Sequence, residues 1–78
     1  MKDETYEALE QVKELILEAL EEETSKPKQN VPKILRMKSQ ISKELLKLPL
    51  EFRKQRKLSN EEMEEIKEWI NEFTKKYL

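Results

Sequence analysis

Cationic side chains recur on one predicted helix face in the middle of the chain, and they carry its most evident chemistry. The residues of this face are Lys33, Arg36, Lys43 and Lys47. Their steps of three, seven and four residues place them on one side of an α-helix. Ammonium and guanidinium groups in such a row bind phosphates and release counterions without reading base sequence. The spacing therefore favours a small accessory or adaptor protein whose basic segment contacts nucleic acid or a nucleic-acid-processing complex.

A second basic cluster follows shortly afterwards and is succeeded at once by acidic residues. It consists of Arg53, Lys54, Arg56 and Lys57. The acidic run has a local explanation, because Ser59 and Glu62 have the spacing of a capping box and acidic residues are favoured in a first helical turn. The cations have no such explanation, since positive charge before a helix N-terminus is mildly unfavourable. We expect this cluster to extend the contact with phosphates.

The distribution of charge leaves a second explanation open. Residues 1–23 hold nine acidic and two basic side chains, residues 24–58 two acidic and eleven basic, and residues 59–78 six acidic and three basic. Such asymmetry indicates an anionic partner. Alternatively, the acidic helices face the basic one within the same protein or a protein partner. The chain would then be a purely protein–protein interaction module.

Catalytic chemistry is poorly supported by the composition. The chain has no histidine, cysteine or glycine, which removes the usual general base, thiol nucleophiles and glycine-rich phosphate loops. The paired carboxylates belong to glutamate runs on predicted solvated faces, and the sequence shows no evident pocket that would suit them to acid–base catalysis. We therefore expect a binding protein that is not an enzyme and uses no cofactor, metal ion or small-molecule substrate.

Three amphipathic helices would position these residues. Apolar periodicity predicts helices over about 3–23, 31–47 and 60–77, with Asp3, Asn30 and Ser59 as N-caps. Pro49 is expected to end or kink the second helix. Residues 50–57 then form either a short helical turn, anchored by Leu50 and Phe52, or an ordered loop. The predicted fold is all-α: one domain of residues 1–78, folded as a small antiparallel three-helix bundle.

Apolar stripes define the expected core. The predicted core residues are Tyr6, Leu9, Val12, Ile16 and Leu20 in the first helix, Val31, Ile34, Met37, Ile41, Leu45 and Leu48 in the second, and Met63, Ile66, Ile70, Phe73 and Tyr77 in the third. Leu15 and Leu17 widen the first stripe beyond what one neighbouring helix covers. This width favours a homodimer or a larger complex. Trp69 flanks the third stripe, either as a partly buried core residue or as an interface anchor.

The remaining features concern the compartment. The acidic N-terminus does not resemble a signal peptide, and no apolar run approaches the ~20 residues that span a bilayer. We expect a soluble cytoplasmic protein without a membrane partner. The cysteine-free, Lys/Glu-rich composition is typical of thermophile proteins, and equally of other soluble helical proteins.

Overall fold

Three helices connected by two short linkers make up the structure. The computed structural model describes residues 2–78, with α1 at Asp3–Thr24, α2 at Val31–Gln55 and α3 at Asn60–Tyr77. The bundle is elongated, with extents of 45 × 20 × 19 Å. Glu23 at the end of α1 contacts Lys33 at the start of α2, and Glu4 contacts Arg56 beyond its end, so α1 and α2 run antiparallel. The predicted all-α three-helix bundle is confirmed.

The second helix is longer than the sequence predicts. It continues through Pro49 to Gln55, so the expected end near Lys47 is wrong and residues 50–55 belong to α2. A proline inside a helix cannot donate a hydrogen bond to the carbonyl four residues earlier, here that of Leu45. Burial outweighs this loss, because Leu45 and Pro49 are buried and Phe52 packs against the core. Leu50, expected to anchor this segment, is instead exposed.

One fully buried residue from each helix forms the centre of the core. Leu9, Leu45 and Ile66 meet there, and Ile70 and Phe73 complete the cluster. The predicted stripes are largely confirmed by this arrangement.

Two predicted core positions are wrong: Tyr6 is 50% exposed and Val31 is 55% exposed. In α1 the buried position is Thr5 instead of Tyr6. Thr5 precedes Leu9 by four residues and therefore lies on the same side of the helix. The phenol of Tyr6 stays at the surface.

Side-chain caps fix two of the helix starts as predicted. The Asn30 Oδ1 accepts from the Lys33 backbone N–H at 3.1 Å, and the Ser59 Oγ accepts from that of Glu62 at 3.2 Å. The second half of the capping box differs, because the Glu62 carboxylate accepts from the Ser59 hydroxyl at 3.4 Å. Asp3 is not the N-cap of α1: that position is Lys2, which makes no side-chain cap, and Asp3 is the first helical residue.

The buried hydroxyl of Thr5 leads to a stability prediction. Its Oγ1 has no hydrogen-bond partner among residues 2–78, and an unsatisfied buried hydroxyl costs free energy. We expect Thr5→Val, which keeps the side-chain shape, to raise the free energy of unfolding by about 1 kcal/mol in urea denaturation. Thr24→Val at the exposed end of α1 is the control and should bring no gain. A destabilised Thr5→Val protein would show that the hydroxyl has a partner.

The length and apolarity of the helices determine whether any of them could span a membrane. Across residues 2–78, none combines the length and apolarity needed to cross a bilayer.

Candidate nucleic-acid interface

The continuity of α2 aligns residues from both predicted basic clusters. Lys54 follows Arg36 by about five full turns, so the two side chains point the same way about 27 Å apart along the axis. Lys43 and Lys47 lie within about 20° of the same line. We call these four exposed residues the basic row: Arg36, Lys43, Lys47 and Lys54.

Most of the basic row is without an acidic partner among residues 2–78. Arg36, Lys43 and Lys54 form no ion pair with a carboxylate there. Lys47 lies 3.5 Å from Glu44, but both side chains are more than half exposed. A surface pair of this kind contributes about 0–1 kcal/mol. The row is therefore open to an external anion.

Lys33, predicted to belong to the same face, has a different environment. Its Nζ lies 2.9 Å from the Oε1 of Glu23, and the Nζ of Lys26 lies 3.0 Å from the same oxygen. These hydrogen bonds, of which that from Lys33 has the larger effect, hold the pKa of the Glu23 carboxyl below its ordinary value of 4.5. Lys33 therefore joins the end of α1 to the start of α2.

This junction gives a pH-dependent prediction. Because the folded-state pKa of Glu23 is lowered, the ionised carboxylate stabilises the fold above about pH 4.5, and this contribution is lost as the pH falls through the folded pKa. We expect Glu23→Gln to lower the urea midpoint at pH 7 and to match the wild type at pH 2. Glu22→Gln, an exposed neighbour, is the control and should change little. A deficit in Glu23→Gln that persists unchanged at pH 2 would contradict this cause.

The second predicted cluster is divided by the structure. Arg53 and Lys54 lie in the last turn of α2, where positive charge is favoured by the helix dipole. Arg56 lies in the linker, with its Nη1 3.7 Å from the Glu4 carboxylate. Lys57 is exposed in the same linker. Of the four, Lys54 joins the basic row and Arg53 lines a groove between α2 and α3.

The three residues predicted as a protein interface line three different surface depressions. Leu15 is well exposed, whereas Leu17 and Trp69 are partly buried against the core. The Trp69 ring stacks on Phe73 with centroids 5.4 Å apart. The structure therefore does not bring these three residues together around one groove.

The pair that sequence reasoning missed is Leu46 and Leu50. They are 72% and 61% exposed and line the same groove as Arg53. Both lie off the buried stripe of α2, and their spacing of four residues was the available signal. This spacing could not be interpreted as one helix face because the second helix was predicted to end near Lys47, between the two leucines.

The comparisons with protein-family models, curated proteins and solved structures found no match to this chain.

Proposed function

We propose that this chain is a non-enzymatic accessory or adaptor protein that holds nucleic acid through the basic row of α2. The observation that carries the proposal is the alignment of Arg36, Lys43 and Lys54, exposed and without ion pairs to the described carboxylates, along one continuous helix. A rigid helix keeps the cations in register. Its length of about 27 Å between the outer two would span roughly eight base pairs of duplex.

The arrangement also has a cost that a ligand would offset. Lys43 and Lys47 are four residues apart, and like charges at that spacing destabilise a helix by about 0.2–0.5 kcal/mol. A phosphate backbone beside the row would screen this repulsion and attract each cation. The side chains of the row are lysines and one arginine, so contacts with phosphates would dominate contacts with base edges. The binding is therefore expected to be independent of sequence.

The experiment is fluorescence anisotropy of labelled DNA at low salt. Two duplexes of about 20 base pairs with unrelated sequences, and one single strand, are titrated with the full chain. We expect micromolar dissociation constants that agree within about twofold between the duplexes, as for binding dominated by phosphates. Absence of binding, or binding to one duplex only, would contradict the proposal.

A protein–protein interaction module is the second candidate function. It is favoured by apolar side chains that α1 and α2 leave at least half exposed: Tyr6, Leu15, Val31, Leu35, Leu46 and Leu50. A homodimer is one form that such a module can take. Sedimentation velocity over a range of concentrations tests this form: a sedimentation coefficient that rises with concentration supports the homodimer, and a constant one contradicts it.

A further inference from the structure

An open apolar groove lies between α2 and α3. It has a volume of about 540 Å³. Its apolar lining comes from Leu46, Pro49, Leu50, Met63 and Ile70. Exposed leucines in a concave site are placed to contact another apolar surface.

The polar lining indicates the charge of the occupant. Arg53 and Lys67 are the charged residues that line the groove, and both are cations. Arg53 forms no ion pair with a described carboxylate, and Lys67 has only an exposed contact of 3.4 Å with Glu64 on its own helix. The groove therefore suits a ligand that is apolar on one side and acidic at its edges.

The dimensions of the groove indicate the shape of the occupant. On α3 the lining runs from Met63 to Thr74, about 17 Å along the axis, which is the length of three helical turns. A cavity of about 150 Å³ holds one benzene molecule. A groove of about 540 Å³ therefore has room for roughly three side chains of similar size. An amphipathic helix presents that many from positions i, i+3 or i+4, and i+7.

We infer that the groove between α2 and α3 binds an acidic amphipathic helix of a partner protein. This goes beyond the proposed contact with nucleic acid. Around α2, Leu46 lies about 80° and Leu50 about 40° from the line of the basic row, so the groove adjoins the row along one edge. A chain with both surfaces would connect a protein to nucleic acid.

The acidic α1 of a second copy fits this groove less well than a foreign helix. Its two well-exposed large apolar side chains are Tyr6 and Leu15, and the rest of its apolar stripe packs in its own bundle. Nine residues separate them, which is about two and a half turns, so they lie on opposite sides of α1. They cannot enter one groove together.

The test uses a synthetic helical peptide as the probe. It carries leucine at positions i, i+3 and i+7 and glutamate at its flanking positions, and it is labelled for anisotropy. A second peptide has lysine in place of every glutamate. We expect the acidic peptide to bind the full chain at least tenfold more tightly than the basic one. Equal binding of the two peptides, or none, would overturn the inference.

A matched pair of variants localises the binding. Leu50 and Leu35 are both 61% exposed on α2, but only Leu50 lines the groove. We expect Leu50→Glu to weaken binding of the acidic peptide at least tenfold and Leu35→Glu to change it less than threefold. Circular dichroism and the melting temperature check that both variants fold. Equal effects of the two substitutions would overturn the assignment to the groove.

Two further measurements, DNA binding and sedimentation velocity, test this inference separately from the proposed function. Leu50 is three residues from Lys47 and four from Lys54, so Leu50→Glu should weaken DNA binding more than Leu35→Glu, which lies about 100° from the row. Failure of DNA binding in the wild type would leave the peptide result intact. Sedimentation velocity tests the remaining occupant: self-association that Leu50→Glu abolishes and Leu35→Glu preserves would assign the groove to a second copy and overturn the inference.

Discussion

The triple variant Arg36→Gln, Lys43→Gln and Lys54→Gln is expected to bind duplex DNA on the order of 100-fold more weakly than the wild type near physiological salt. It removes the three cations of the basic row that form no ion pair with the described carboxylates. The fold should be unaffected, because all three side chains are exposed. Anisotropy gives the affinity, and urea denaturation gives the stability.

A second triple variant controls for net charge. Lys28→Gln, Lys75→Gln and Lys76→Gln remove three exposed cations that lie outside α2. General attraction to DNA falls equally in both triple variants, whereas contacts at the row are lost only in the first. We expect the control to weaken binding less than tenfold. Similar losses in both would contradict a defined binding surface and leave only nonspecific attraction.

The largest effect on stability is expected from Leu45→Ala. Leu45 is 2% exposed and packs with Leu9 and Ile66, one from each of the other helices. Truncating a buried leucine to alanine costs about 2–5 kcal/mol through lost burial and the cavity left behind. A core in a chain of about 80 residues or fewer rarely supplies more than about 3–5 kcal/mol of stability, so this variant should be partly unfolded near 37 °C.

The neighbouring leucine supplies a matched control. Leu46 is 72% exposed, so Leu46→Ala should change the free energy of unfolding by less than about 0.5 kcal/mol. Urea denaturation followed by circular dichroism measures both variants. Equal destabilisation by the two substitutions would mean that α2 presents a different face to the core.

Much of the fold was predictable because local and long-range signals agree. Asn30 and Ser59 cap their helices as expected, and the alternation of three and four residues in α3 identifies its buried face. Pro49 was misleading because a local preference against helix is outweighed by burial on both sides of it. Tyr6 was misplaced because adjacent residues on a helix differ by only 100°, and packing decides which of the two faces the core.

The candidate site was less predictable because it depends on how helices approach each other. Lys33 has the spacing of the basic face, but the end of α1 brings Glu23 to it. Lys54 joins the row only because α2 continues past Pro49. The groove containing Leu46 and Leu50 requires α3 as its second wall. Helical periodicity shows which residues share a face of one helix, but not which residues of another helix lie opposite them.

The most direct test of the basic row is the salt dependence of duplex binding. The logarithm of the association constant is plotted against the logarithm of salt concentration for the wild type and for the first triple variant. Four phosphate contacts give a slope of about −3.6, and loss of three contacts should reduce its magnitude by roughly three. We predict both results. A wild-type slope near zero, or no binding even at low salt, would contradict the account and leave the cations of α2 to a protein partner.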